Sequence, residues 1–183
     1  MSLPEKHLSI VYHSPYGHTA KVAFAIAAGA EVMGVKVHLM NIEHIDWDAL
    51  DASQGIIFGS PTYMGSMTAD FKKFMDSTSK RWKERLWQGK LAAGFANSGG
   101  LSGDKLAVLQ QLNIFAMQHG MLWSGLPLMT TGHGEKDLNR LSSCLGLMTQ
   151  SDNAPVEITP PQGDLDTAKW FGEYIAGLLY RIS

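Results

Sequence analysis

Apolar positions along this chain alternate between two periods. Leu8-Ser-Ile-Val-Tyr12 is a short β-rich run. From His18 to Met33 apolar residues recur at Val22, Ile26, Ala30 and Met33, the spacing of one helix face, and Gly34 is a natural stop. Val35 to Met40 alternates and predicts a second strand with a polar face, near a sheet edge. Trp47 to Ala52 reads as a short helix or turn. Gly55-Ile-Ile-Phe-Gly59 is continuously apolar, the mark of a strand buried on both faces. A helix follows with Met67, Phe71, Phe74 and Met75 on one face, capped by Ser66 or Thr68. Lys90 to Ala96 is a fourth strand. Lys105 to His119 is a helix with Leu106, Leu109, Leu112 and Ala116 inward, and Met121 to Met129 holds a fifth strand stopped or bent around Pro127. A last helix starts at Asp164 or Asp166 and presents Phe171, Tyr174, Ile175, Leu178 and Leu179.

Strands and helices alternating five times predict one α/β domain over residues 1–183, a parallel sheet with helices on both faces. In such open sheets ligands bind beyond the carboxyl ends of the strands, where the strand order reverses.

Composition narrows the class. The 183 residues are 45% hydrophobic and 17% charged, as in ordinary globular domains. No apolar run approaches the ~20 residues of a membrane span, and the N-terminus lacks the apolar core of a signal peptide. Residues 1–7 read as a flexible or expression-derived end. With a single cysteine, Cys144, there is no intrachain disulfide, and its apolar neighbours suggest packing. These features predict a cytoplasmic protein. A net charge of -2 gives no reason to expect nucleic acid or an anionic membrane as partner.

Three polar loops follow the central strands: Ser14-Pro-Tyr-Gly-His-Thr19, Ser60-Pro-Thr-Tyr-Met-Gly-Ser66 and Asn97-Ser-Gly-Gly-Leu-Ser-Gly103. All three project from the same sheet edge. The first joins a strand to a helix start, where unpaired N–H groups and the helix dipole attract an anion without a lysine. It matches neither the Walker loop nor the dinucleotide fingerprint. The second places Tyr63 beside Gly65, where backbone can approach a flat ring. The third offers backbone donors without bulk. Alone, each reads equally as a capped helix start, a turn or a surface loop; their convergence is the signal.

Other constellations carry less. His13 and His18 bracket the first loop, but no His/Asp/Glu group has a usual zinc spacing, so no metal is expected. Gly99-Gly-Leu-Ser-Gly103 departs from the nucleophile elbow. Ser14 and Ser60 stand where a phosphorelay receiver needs acids. Thr131-Gly-His133-Gly134 is a surface turn or a flap over the site, and the basic run Lys80 to Arg85 is a solvated helix end or a phosphate-attracting patch.

The strand–Ser14-x-Tyr16-Gly17-His18-Thr19 loop, Gly59-Ser-Pro-Thr-Tyr-Met-Gly65 and the Gly89-Lys-Leu to Ser98-Gly-Gly100 stretch occur in this order. Together they resemble the flavodoxin-like family of NAD(P)H:quinone oxidoreductases, first named as tryptophan-repressor-binding proteins. The similarity covers roughly residues 8–126 and resumes near Gly172–Gly177. It implies a flavodoxin-like three-layer sandwich with strand order 2-1-3-4-5, bound FMN, NADH or NADPH as donor, a quinone-like acceptor and a homodimer or homotetramer.

By position, the resemblance implies that Ser14, Tyr16, Gly17, His18 and Thr19 hold the FMN phosphate. Pro61, Thr62, Tyr63, Met64 and Gly65 would line one side of the ring, and Asn97, Ser98, Gly99 and Gly100 the other edge. Tyr16, Trp82 and His119 would face the substrate, and His133 joins them if the Thr131–Gly134 turn is a flap over the site. No side chain is required as acid or base. The chain departs from those reductases in a shorter link between strands two and three, and in Leu138 to Met148 replacing a glycine-rich segment. A flavodoxin-type electron carrier and an FMN-binding regulatory protein stand as alternatives.

Overall fold

The computed structural model describes residues 5–182, so most of the end anticipated at residues 1–7 lies outside the described residues. The elements are β1 (His7–Tyr12), α1 (His18–Val32), β2 (Lys36–Asn41), α2 (Trp47–Ala52), β3 (Gly55–Pro61), α3 (Ala69–Ser77), α4 (Ser79–Lys83), β4 (Leu91–Ser98), α5 (Lys105–Gln118), β5 (Leu122–Trp123), β6 (Leu147–Gln150) and α6 (Gln162–Arg181). The strands pair in parallel in the order β2-β1-β3-β4-β5, as expected, and β6 also pairs with β4. His7 already belongs to β1, and the Lys6 carbonyl accepts the Lys36 amide at 2.7 Å. Residues 6 and 7 are therefore not a flexible end as expected, because β2 needs backbone partners along its whole length.

Side chains alternate across the central strands and create two cores. Ile57 packs with Leu8, Ile10 and Phe95 beneath Val22 and Ile26 of α1 and Phe171 and Ile175 of α6. Ile56 and Phe58 pack on the other face with Phe71, Trp87, Leu112 and Phe115. Helices on both faces of one sheet make the three layers of the flavodoxin-like α/β fold. The α1 and α6 backbones nearly touch: a Cβ on Gly29 would lie 1.9 Å from the Lys169 carbonyl oxygen, and one on Gly172 1.9 Å from that of Ile26.

The fifth strand differs from expectation. β5 has two residues, beside Leu91 and Ala92, and β6 takes over the same edge beside Phe95 to Ser98. The last bond to β4 is the Ser124 amide to the Ala92 carbonyl at 2.8 Å; the Leu126 amide already turns to the Cys144 carbonyl at 2.8 Å, ahead of Pro127. Leu106 and Met33 were expected to be inward but are exposed: Leu106 falls beside the buried stripe of Lys105, Val108, Leu109 and Leu112, and Met33 lies past the end of α1. Cys144 is exposed rather than packed.

Candidate functional site

The carboxyl ends of β1, β3, β4 and β6 open onto one half-open cleft of about 360 Å³. Its first wall is the loop between β1 and α1, with Ser14, Tyr16, His18 and Thr19. Gly17 is the N-cap at φ 90°, a left-handed conformation that a side chain would strain, and it has no side chain to cap the helix. Ser14 Oγ accepts the Ala20 amide at 2.9 Å, while the first helical bond is made by Lys21 to the Gly17 carbonyl. The His18 and Thr19 amides precede that bond and lack intrahelical acceptors, so this end attracts an anion.

The second wall holds Pro61, Thr62 and Tyr63. Tyr63 and Ser66 exchange backbone hydrogen bonds of 2.8 and 3.1 Å around Met64 (φ 50°) and Gly65 (φ 74°). Two successive positive φ angles make a type I′-like hairpin turn. Gly65 therefore serves the turn, and open space surrounds its Cβ position. Met64 is fully exposed at the tip, and neither residue lines the cleft. Thr62 donates its amide to the Asn97 carbonyl at 2.8 Å. Its hydroxyl Oγ1 is buried without a partner among the described residues.

Asn97, Ser98 and Gly99 form the third wall. Asn97 Oδ1 accepts the hydroxyls of Thr149 (2.8 Å) and Ser151 (2.9 Å), which ties β4 to the end of β6. Gly100 stands behind the wall, where its carbonyl accepts the Lys105 ammonium at 2.8 Å.

The fourth wall, Ser151 to Ala154, was not anticipated. His18 Nε2–H donates to the Ala154 carbonyl at 2.9 Å, and Lys21 Nζ to that of Val156 at 2.7 Å. Gln150 Nε2 donates to the Gly99 carbonyl at 2.9 Å. Arg140 holds Gln150 Oε1 at 2.8 Å and pairs with buried Asp164 through Nε at 2.7 Å. The only sequence signal for it is the four-residue run Leu147-Met-Thr-Gln150 before a polar turn, shorter than the runs that mark the other three walls.

Of the four residues expected on the substrate side, Tyr16 stands at the cleft's mouth beside Tyr63 of the second wall, with ring centroids 6.5 Å apart. Burial, and secondarily the neighbouring Tyr16, raise the Tyr63 pKa, so its hydroxyl remains a donor. The other three lie elsewhere. α3 starts at the cleft and runs back across the sheet, leaving Trp82 in α4 at the opposite edge, next to the Arg81–Asp51 ion pair. His119 ends α5 at that same edge. It is buried against Trp87 (centroids 4.5 Å apart) and hydrogen-bonded to Thr78 at 2.9 Å. Desolvation, helped by Arg85, lowers its pKa to about 4. His133 is exposed, and its Nδ1–H donates to the Arg140 carbonyl at 2.7 Å, within a turn closed by Asp137. The basic run lies with Trp82, away from the cleft. Among the described residues, no three His, Cys, Asp or Glu side chains are grouped to hold a metal, and no helix is long and apolar enough to cross a membrane.

Comparison with known proteins places this architecture. The chain is 42% identical to flavodoxin FldP of Pseudomonas aeruginosa, over 91% of this chain and 93% of that one. It is 39% identical to the crystal structure of a WrbA-like flavodoxin from Agrobacterium tumefaciens, with a TM-score of 0.77 over 98% of this chain and all of that one. The chain belongs to the flavodoxin-like family that includes the WrbA-like proteins. The NADPH-dependent FMN reductase family matches residues 47–134. An NAD(P)H dehydrogenase (quinone) of Archaeoglobus fulgidus is 30% identical over 94% of this chain and 97% of its own length.

Proposed function

We propose that this protein is an FMN-dependent oxidoreductase that passes electrons from NADH or NADPH to a quinone-like acceptor. The observation that carries this reading is the convergence of four strand-end segments on one cleft with a helix N-terminus at one end and two exposed tyrosines at its mouth. The residues fit such a cofactor. The amides opening α1 and the hydroxyls of Ser14 and Thr19 suit its phosphate. The unpartnered Thr62 Oγ1 awaits a polar group, and Gly99 leaves room for a ring. Bound FMN would supply the hydride-accepting chemistry. The protein binds it by the α1 end, orients it between the second and third walls, and leaves one side open between Tyr16 and Tyr63 for donor and acceptor. No acid or base is required of the chain. A single domain over residues 1–183, a cytoplasmic location and a homodimer or homotetramer complete the reading.

A second reading has its own support. Identity to a flavodoxin exceeds that to the quinone reductase named above, which favours a carrier reduced by another protein. Steady-state oxidation of NADH and NADPH by the FMN-loaded protein with a benzoquinone separates the two. Turnover supports the enzyme. FMN binding without nicotinamide oxidation supports the carrier, and absence of FMN binding defeats both.

A further inference from the structure

Lys105, the first residue of α5, is fully buried. Its ammonium donates to three acceptors in a single loop: Ser98 Oγ at 2.7 Å, the Gly100 carbonyl at 2.8 Å and the Leu101 carbonyl at 3.0 Å. The Ser98 hydroxyl, so occupied, donates its own hydrogen bond to the Gly100 carbonyl at 3.0 Å. Three donors thus meet three acceptors, and none of these is a carboxylate. Asp164 of α6 attracts the ammonium at longer range and Arg140 repels it. Since Arg140 already grips both Asp164 oxygens, at 2.7 and 3.2 Å, little of that negative charge is left for Lys105. Burial lowers the pKa of the amine to about 8, which leaves it mainly charged at neutral pH.

A buried ammonium is costly, and neutral acceptors alone do not repay its desolvation. The loop it holds is the third wall of the cleft, and Ser98, its closest partner, lines that cleft. Carbonyls drawn toward the ammonium turn the amides of Leu101 and Ser102 to the other side of their trans peptide planes. A flavin ring that accepts a hydride without a further proton gains one negative charge, whereas the oxidised ring is neutral. A fixed cation behind the wall therefore discriminates between the two states.

We propose that Lys105 is a positioning residue that makes the cleft favour the reduced flavin over the oxidised one, by fixing the 98–101 loop and placing a buried positive charge one hydrogen bond behind Ser98. This inference rests on the FMN reading of the cleft. It concerns binding preference and adds no chemical step.

The test is the dissociation constant of oxidised FMN, by fluorescence quenching, and the midpoint potential of the bound FMN, for wild type, Lys105→Met and Lys105→Arg. Lys105→Met is expected to weaken binding of the reduced cofactor about tenfold more than that of the oxidised one, which lowers the two-electron potential by ~30 mV. Lys105→Arg, which keeps the charge, should return the potential toward wild type. Lys105→Gln takes the place of Lys105→Met if that variant does not fold. A wild-type potential in the uncharged variant, with only its melting temperature lowered, overturns the proposal and leaves the FMN reading intact. Failure of the wild type to bind FMN overturns both.

Discussion

His18 Nε2 lies 2.9 Å from the carbonyl oxygen of Ala154, a contact that spans 136 positions of sequence. It joins the loop opening α1 to the segment leaving β6, so two walls of the cleft move as one. Lys21 reinforces the joint by donating to the Val156 carbonyl.

Replacing His18 with leucine should free the 151–154 segment. A net hydrogen bond of this kind contributes roughly 1 kcal/mol, so FMN affinity should fall about five- to tenfold with a comparable loss of stability. Flavin fluorescence quenching and urea denaturation measure the two effects. Unchanged affinity would mean that the fourth wall does not touch the cofactor.

Thr62→Val should act with opposite signs on stability and binding. The buried hydroxyl has no partner in the free protein, and an isosteric methyl removes its desolvation cost, so the free protein should gain about 1 kcal/mol. FMN binding should weaken by a similar amount, since the partner that Oγ1 lacks is then the cofactor. A variant that binds FMN as well as wild type would contradict that role.

Gly172→Ala probes the layer behind the site. Its Cβ would meet the Ile26 carbonyl at 1.9 Å, and backbone cannot swing aside. Overpacking of this kind costs about 1–3 kcal/mol or more, and α1, whose N-terminus faces the cleft, must shift to relieve it. A lower urea midpoint together with weaker FMN binding is expected.

How far the site could be read in the sequence depended on run length. β1, β3 and β4 are six to eight residues long, and each has a polar loop after it, so three walls were legible. β6 has four residues and follows a long excursion from the sheet, so its apolar pattern is too short to separate from a loop. The fourth wall was lost with it. Gly65 was read as a place where backbone can approach a flat ring; the paired Tyr63–Ser66 bonds add the positive-φ turn, which the glycine alone did not specify. Trp82 and His119 were placed by analogy of position, whereas the direction of α3 and α5 carries them to the far edge of the sheet.

His119 makes stability depend on pH. Its pKa is lowered from 6.5 to about 4 by desolvation first and then by Arg85, and Nδ1 is buried without a partner among the described residues. The unfolded chain therefore binds the proton more tightly. Stability is full above pH 6.5 and is lost as pH falls toward about 4. At ~1.4 kcal/mol per pH unit the loss reaches roughly 3 kcal/mol. Urea midpoints at about pH 7.5 and about pH 4.5 should converge in His119→Leu relative to wild type. Equal pH sensitivity in the variant would assign the effect to other groups.

Anaerobic mixing of the FMN-loaded protein with NADH or NADPH, followed at the visible flavin band, tests the proposed activity at its source. Bleaching by the nicotinamide and recovery on addition of a benzoquinone is the expected result. A band that neither nicotinamide bleaches, but that a reducing partner protein does, would contradict the oxidoreductase and leave an electron carrier.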